Sequence, residues 1–154
     1  MSKKAALVGT ANQYITLGML LPEFPEAMLC SHDQSAQDMF IADISPIRIQ
    51  IKTASNSIKF TGGTRGGVDR TYDKTTNQSK EYKYSTKDTD LIIGVHENAR
   101  GKYELYFVPS IVIDKLDQKG ISINKVAFTK NDYDVIKNCK DEQFCEDKFG
   151  ALYK

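Results

Sequence analysis

The sequence lacks the features that mark membrane-embedded and secreted proteins. No apolar run reaches the roughly 18 residues that a membrane-spanning helix requires. Residues 1–4, Met-Ser-Lys-Lys, precede an apolar run that is too short for a secretory signal. The odd number of cysteines, three, also argues against a disulfide framework. We therefore expect a cytoplasmic protein that does not enter a membrane.

Ligands for zinc are scarce as well. Cys30, Cys139 and Cys145 match no recognisable zinc spacing, and His32 and His96 have no acidic residue or cysteine at ligand spacing. We expect the cysteines to be reduced and the two histidines to be ordinary loop residues. The sequence thus gives no indication of a zinc site.

A nucleotide-binding signature is also missing. The glycine-rich run at residues 62–67, Gly-Gly-Thr-Arg-Gly-Gly, lacks the Gly-Lys-Ser/Thr ending of a Walker loop and matches no dinucleotide fingerprint. Two interpretations of this run remain open. It is either a flexible basic loop that orders over a nucleic acid or a plain linker.

The chain has 154 residues, of which 40% are hydrophobic and 27% charged, and this composition predicts a single domain over residues 1–154. The net charge of +1 conceals an uneven distribution, because residues 52–87 hold eight basic and three acidic side chains. Such a segment suits a polyanionic ligand, although a solvated lysine-rich loop has the same composition. The basic residues that we predict to contact nucleic acid are Lys59, Arg65, Arg70, Lys74, Lys80 and Lys83.

Hydrophobic periodicity and turn residues predict an α/β fold, in which a mixed β-sheet is flanked by helices. Thr10 and Gln13 have the spacing of a capping box, which predicts a helix that begins at Thr10 and stops before Pro22. The other predicted helices are residues 110–116 and 131–138, and the predicted strands are residues 27–30, 38–43, 47–53, 57–60, 90–95, 103–108 and 121–128.

The most informative segment is the predicted hairpin formed by residues 38–43 and 47–53. In the second strand isoleucines alternate with Arg48, Gln50 and Lys52, so the polar side chains share one face. If Asp43 pairs with Ile47, Asp38 lies opposite Lys52, and opposed residues in an antiparallel pair have Cβ atoms about 4.5 to 5.5 Å apart. Asp38, Gln50 and Lys52 would then converge, whereas Asp43 would point elsewhere.

Several runs resemble the PD-(D/E)XK nuclease superfamily. They are Gly-Thr-Ala-Asn-Gln at 9–13, Asp-Met-Phe-Ile at 38–41, Ile-Gln-Ile-Lys-Thr at 49–53, Lys-Asp-Thr-Asp-Leu-Ile-Ile at 87–93 and Tyr-Phe-Val-Pro at 106–109. The similarity is to the branch in which glutamine replaces the second acid, as in bacterial group I intron homing endonucleases and small restriction-type endonucleases. It covers about residues 8–113 and implies a restriction-endonuclease-like core.

The resemblance also implies roles for the hairpin residues. Asp38 would bind Mg²⁺, for which Mn²⁺ is a possible substitute, and Ile51 would offer its backbone carbonyl as a second ligand. Gln50 would contact the ion or a water bound to it, and Lys52 would face the scissile phosphate. One carboxylate can suffice because Mg²⁺ retains several waters and takes further oxygen ligands from its substrate.

Gln13 departs from the family pattern, which usually places a glutamate at this position of the first helix. A neutral amide cannot replace that charge. Three explanations remain open: Gln13 substitutes by hydrogen bonding, the acid comes from elsewhere, or the chain binds DNA without cutting it. Gln13 could also serve only as half of the helix cap, and the two roles are compatible.

Taken together, the residues and the resemblance predict a Mg²⁺-dependent endonuclease that hydrolyses double-stranded DNA, of the homing or restriction type. Because one such chain carries a single site, cutting both strands implies a homodimer or homotetramer. The alternatives are a catalytically silent DNA-binding module on a nuclease fold and a Holliday-junction resolvase.

Overall fold

The computed structural model describes residues 2–30, 37–43, 45–62, 72–73, 78–79 and 82–154, of which the pairs 72–73 and 78–79 are described by their backbone alone. In chain order the elements are α1 (Lys3–Leu20), β1 (Ala27–Leu29), β2 (Met39–Ile41), β3 (Ile47–Thr53), β4 (Ser57–Lys59), β5 (Thr61–Gly62), β6 (Tyr72–Asp73), β7 (Gln78–Ser79), β8 (Tyr82–Lys83), β9 (Leu91–Glu97), β10 (Tyr103–Pro109), α2 (Ser110–Lys115), β11 (Gly120–Ser122), α3 (Asp134–Lys137) and α4 (Glu142–Phe149), with 3-10 helices at Ile123–Thr129 and Gly150–Tyr153.

Five strands form the main sheet, in the order β1-β2-β3-β9-β10. β3 and β9 are parallel, and the other neighbours are antiparallel. The predicted mixed sheet flanked by helices is therefore confirmed. Residues 54–90 connect the parallel pair, and the part of this connection that the structure describes contains only short strands where a helix is usual.

Helix α1 is longer than predicted. It begins at Lys3, where Ser2 caps it by accepting a hydrogen bond from Ala5 N at 3.2 Å. The predicted start at Thr10 is therefore wrong, because the Thr10 hydroxyl instead donates to the Ala6 carbonyl, one turn back inside the helix. The predicted end before Pro22 is confirmed. None of the helices in the described ranges combines the length and apolarity that crossing a bilayer needs.

The hairpin of β2 and β3 forms, but two residues out of the predicted register. Phe40 lies opposite Arg48, and Asp38 N donates to the Ile49 carbonyl at 2.9 Å. Asp38 therefore falls opposite Gln50, and the predicted pairing with Lys52 is wrong. Because side chains alternate with a period of two, an even shift leaves every residue on its predicted face.

The C-terminal third differs from its prediction in detail. The predicted strand at 121–128 is mostly a 3-10 helix, preceded by β11, and the predicted helix at 131–138 shortens to α3. Asn131 accounts for the shorter helix, because its Oδ1 accepts from Leu105 N at 2.9 Å, its N donates to the Leu105 carbonyl at 2.8 Å, and its φ of 53° is not helical. Residue 131 thus continues the ladder along the free edge of β10.

The main sheet is covered on both faces. Helix α1 packs on the face that carries Ile49, Ile51 and Thr53. On the opposite face Ile58 of β4 presses against Gly94, and a Cβ at position 94 would lie 2.6 Å from Ile58 Cγ1. A larger residue at position 94 would therefore force β4 away from the sheet face that also carries Gln50 and Lys52.

Candidate active site

Asp38 is the last residue before β2, and its backbone is bonded on both sides. Its N–H donates to the Ile49 carbonyl at 2.9 Å on one side, and its carbonyl accepts from Cys30 N at 2.9 Å on the other. The main chain of Asp38 is therefore fixed between β3 and the segment that follows β1. A side chain on such a backbone has few conformations to lose when it binds a ligand.

The carboxylate of Asp38 accepts a hydrogen bond from the backbone of β3 that a carbonyl of the neighbouring strand would accept in a regular sheet. Its Oδ2 accepts from Ile51 N at 2.9 Å and from Gln50 Nε2 at 2.6 Å. Among the described residues, no donor contacts Asp38 Oδ1 or engages Gln50 Oε1. These two oxygens are acceptors that a cation or a water could use. The Ile51 carbonyl projects toward the same edge of β3 as its N–H.

Burial raises the pKa of the Asp38 carboxyl above its ordinary range, because desolvation disfavours the charged form. The hydrogen bond from Ile51 N and the nearby charge of Lys52 oppose this shift of the pKa without cancelling it. An ionised Asp38 is therefore held at a cost in folding free energy that a cation would offset. Raised carboxyl pKa values of this kind are typical of functional sites.

Lys52 lies on the same face of β3 as Gln50. Its ammonium is held by a backbone carbonyl and an aromatic ring. Nζ donates to the Thr61 carbonyl at 3.0 Å and lies 5.0 Å from the centroid of the Tyr84 ring. Tyr84 is 2% exposed, and a Cβ on Gly62 would come within 2.3 Å of its hydroxyl oxygen. The lack of a side chain at Gly62 thus lets Tyr84 lie beneath Lys52.

Gln13 is not joined to this group. It is half-buried on the flank of α1, and within the described residues no hydrogen bond links it to Asp38, Gln50 or Lys52. Its predicted role as a cap is wrong because α1 begins at Lys3. The α1 residue that does bond to β3 is its neighbour Asn12.

Asn12 was not predicted from the sequence. It is 5% exposed, and its Nδ2 donates to Thr53 Oγ1 at 2.7 Å. Asn12, Thr16 and Leu20 are the buried residues of α1, and their spacing of four could have indicated which helix face meets the sheet. The partner strand could not be read from that spacing.

A second group missed by the sequence analysis centres on Arg48. Its guanidinium contacts both carboxylate oxygens of Asp90, with Nε 3.2 Å from Oδ2 and Nη2 3.0 Å from Oδ1, and it also donates to the Thr86 and Lys87 carbonyls. Gln37, next to Asp38, donates from Nε2 to the Asp88 carbonyl at 2.8 Å. Residues 86–90 are therefore bonded both to β3 and to the residue that precedes Asp38.

The predicted nucleic-acid contacts are only partly described. Lys59 is exposed on β4, whereas Lys83 of β8 donates from Nζ to the Leu116 carbonyl. The remaining residues of that prediction lie outside the described residues: Arg65, Arg70, Lys74 and Lys80. The basic surface thus stays a prediction.

The donor set around Asp38 fits a hard cation that keeps several waters. No cluster of three or more His, Cys, Asp or Glu side chains in the described ranges could hold a metal ion. Asp38 Oδ1, Gln50 Oε1 and the Ile51 carbonyl are all oxygen donors, which Mg²⁺ prefers, and none suits a soft metal. An ion here would depend on water and substrate for the rest of its shell.

The sheet order and the flanking helices define an α/β fold with a mixed five-stranded sheet. The solved structure of a bacterial homing endonuclease, I-Ssp6803I, is similar to this chain with a TM-score of 0.53 and 16% sequence identity, over 79% of this chain and 78% of that chain. At this identity the likeness concerns the fold. Neither a protein-family model nor a curated protein sequence matches the chain significantly.

Proposed function

We propose that this protein is a Mg²⁺-dependent endonuclease of the PD-(D/E)XK type that hydrolyses phosphodiester bonds of double-stranded DNA. The observation that carries the proposal is the half-buried Asp38 carboxylate, bonded through Oδ2 to Ile51 and Gln50 with Oδ1 unbonded among the described residues. The endonuclease fold supports it. Homing and restriction types share this chemistry, and we propose the homing type because the structural neighbour is a homing endonuclease.

Three residues of the candidate site would bind the metal ion. Asp38 would hold Mg²⁺ through Oδ1, with Ile51 contributing its carbonyl and Gln50 its amide oxygen, either directly or through a water. When bound, Mg²⁺ would polarise the phosphoryl oxygen and lower the pKa of an attacking water. Asp38 must be ionised to bind the ion, and its pKa is raised by burial. Metal affinity should therefore increase with pH above the ordinary aspartate range.

Lys52 would stabilise the negative charge that develops on the phosphate. Its ammonium is already ordered by the Thr61 carbonyl and the Tyr84 ring, so little reorganisation is needed when the charge appears. Lys52 leads directly into residues 54–90, the connection that carries most of the predicted DNA-contacting residues. DNA held there would lie beside the strand that carries Lys52.

The catalytically silent DNA-binding module is the second candidate. The observation that favours it is the shortage of acid, since the described residues form no group of three or more His, Cys, Asp or Glu side chains that could hold a metal ion, and Gln13 supplies an amide. A silent module would bind DNA with the same basic segment. It would have no use for a bound divalent ion.

Incubation of supercoiled plasmid with the wild-type protein, in Mg²⁺, Mn²⁺ and Ca²⁺, distinguishes the two candidates. The nuclease should nick or linearise the plasmid in Mg²⁺ and Mn²⁺, and gel-shift measurements in Ca²⁺ should show binding to linear duplex DNA. Binding without cleavage in any of the three ions would establish the silent module instead. Failure to bind duplex DNA at low salt would contradict both.

A further inference from the structure

Helix α1 is apolar on more than one side. Residues 5–21 contain no charged side chain, although only Asn12, Thr16 and Leu20 of the helix are buried. A helix that packs on a sheet with one face normally carries charged residues on the other. The solvent side of α1 therefore has the composition of a buried surface.

The exposed side of α1 carries an apolar stripe with heptad spacing. We call this the outer stripe, and it consists of Leu7, Ala11, Tyr14, Gly18 and Leu21. Leu7 is 63% exposed, Tyr14 64% and Leu21 40%, and no atom lies within 4 Å of a Cβ placed on Gly18. Steps of four, three, four and three residues keep the outer stripe along one line of the helix. At about 100° per residue, this line lies opposite the buried residues.

We propose that the outer stripe pairs in antiparallel orientation with the outer stripe of a second copy of this chain. Its side chains alternate large, small, large, small, large from either end, with Tyr14 in the centre. A two-fold axis at Tyr14 would bring Leu7 of one copy beside Leu21 of the other. Tyr14 would meet Tyr14, and Ala11 of one copy would lie near Gly18 of the other, so that every residue of the outer stripe would contact an apolar surface. A surface that complements itself in this way is what an isologous dimer requires.

Charges at the two ends of α1 favour the same orientation. Lys3 and Lys4 precede Tyr14 by eleven and ten positions, and Glu23 and Glu26 follow it by nine and twelve. All four residues are exposed. An antiparallel pair centred on Tyr14 therefore brings the lysines at the start of each helix toward the end of the other helix, which the two glutamates follow. A parallel pair would instead place lysine beside lysine and glutamate beside glutamate, which is repulsive.

The dimer would also connect two sites rigidly. The buried face of α1 is bonded to β3 through Asn12 and Thr53 at 2.7 Å, and β3 carries Lys52. Cleavage of both DNA strands by the two copies rests on the proposed function, whereas the pairing of α1 does not. The tests below use no DNA and no metal, so their outcome is independent of whether the protein is a nuclease.

Sedimentation equilibrium on the full chain tests the interface. The wild type should be a dimer, and Tyr14→Glu should weaken it at least tenfold, because a charge would be buried at the two-fold axis. Met28→Glu is the matched control, since Met28 is 51% exposed but lies on β1 outside the outer stripe, and it should dimerise like the wild type. A monomeric wild type, or a dimer that tolerates Tyr14→Glu with a native circular dichroism spectrum, would overturn the proposal.

Charge reversal tests the orientation. A variant with Lys3→Glu and Lys4→Glu, and another with Glu23→Lys and Glu26→Lys, should each dimerise at least tenfold more weakly than the wild type at low salt. An equimolar mixture of the two should recover the wild-type affinity, because each end of the mixed dimer again pairs opposite charges. The exposed ion pair of Glu23 with Lys137 at 3.7 Å contributes little to folding. A mixture no tighter than its components would rule out the antiparallel arrangement.

Discussion

At the scale of single residues, Asp38 is in an environment that favours binding over stability. Burial raises the pKa of its carboxyl, so the folded protein holds the proton more tightly than the unfolded chain does. Its ionised form is then a net cost to folding unless a cation is bound. This combination is expected of a metal ligand and would be unusual for a residue that only begins a strand.

We predict that Asp38→Asn is at least as stable as the wild type at neutral pH without metal. The amide oxygen of the introduced side chain can still accept from Ile51 N, while the buried charge is removed. Urea unfolding at several pH values should show the wild type losing stability relative to the variant as pH rises from the ordinary aspartate pKa to the raised one. The difference should stay constant above that window. A wild type that gains stability over the same window would contradict the raised pKa.

Tyr84 is a positioning residue for Lys52 in the proposed reaction. Its ring lies 5.0 Å below Nζ, and such a cation–π contact contributes about 1 to 2 kcal/mol when desolvated. Tyr84→Leu should therefore lower kcat by about tenfold with little change in DNA affinity, whereas Tyr84→Phe keeps the ring and should retain activity. Gly62→Ala should resemble Tyr84→Leu, because its Cβ would displace the ring.

The control for Tyr84 is a buried aromatic residue with no contact to Lys52. Phe149 is 0% exposed, and its ring packs against Phe128. Phe149→Leu should lower the midpoint of unfolding without changing kcat at temperatures where the protein is folded. Equal losses of kcat in Phe149→Leu and Tyr84→Leu would show that Tyr84 acts only through stability.

At the scale of elements, the connection between β3 and β9 ends at a bidentate ion pair between Arg48 and Asp90. Arg48 on β3 and Asp90 just before β9 contact each other through two oxygens, with side chains 29% and 13% exposed. Asp90 N also donates to the Arg48 carbonyl at 2.9 Å, and Thr89 Oγ1 donates to the same carbonyl. The start of β9 is therefore aligned with β3 by contacts that involve both backbones.

We predict that Arg48→Met lowers the free energy of unfolding by about 2 to 4 kcal/mol, because it leaves the Asp90 carboxylate without its partner. Arg48→Lys should recover only part of the loss, since an ammonium cannot make the two-pronged contact. Lys115→Met, which breaks the exposed pair with Glu146 at 3.2 Å, should cost no more than about 1 kcal/mol. Equal effects of Arg48→Met and Lys115→Met in urea unfolding would show that the Arg48–Asp90 ion pair stabilises the fold no more than an exposed ion pair does.

The sequence predicts elements well where one pattern dominates. The alternation in β3 gives that strand to the residue, and the apolar runs of β9 and β10 are unmistakable. The hairpin register was wrong by two residues because a period of two fixes only the face of each side chain and leaves even shifts open. The start of α1 was missed because Thr10 and Gln13 match the capping spacing by chance, while Ser2 is the cap.

The site was predicted from the sequence only in part. Asp38, Gln50 and Lys52 could be selected because they lie on two strands of one hairpin, where spacing indicates proximity. The contacts that position β3 come from far along the chain, with Asn12 bonded to Thr53 across 41 positions and Arg48 to Asp90 across 42. Such contacts leave no local pattern in the sequence, so they can be identified only from the folded structure.

At the scale of the whole molecule, the parallel pairing of β3 and β9 determines where the connection between these two strands begins and ends. The connection from Thr53 to Leu91 begins at the end of the strand that carries Lys52 and returns beside it. The segment with eight basic and three acidic residues therefore starts at the candidate site itself. Helix α1 packs on the face of β3 opposite to Gln50 and Lys52, so the proposed dimer would not cover the face that carries these two residues.

The most direct test of the central claim is a side-by-side measurement of plasmid cleavage in Mg²⁺ by the wild type, Asp38→Asn and Asp43→Asn. Asp43 is the matched control, because it is an exposed aspartate in the turn of the same hairpin, two residues beyond the end of β2. Asp38→Asn should lose more than the about 10- to 100-fold that removal of an outer-shell partner costs, and Asp43→Asn should cut like the wild type. Undiminished cleavage by Asp38→Asn would contradict the account.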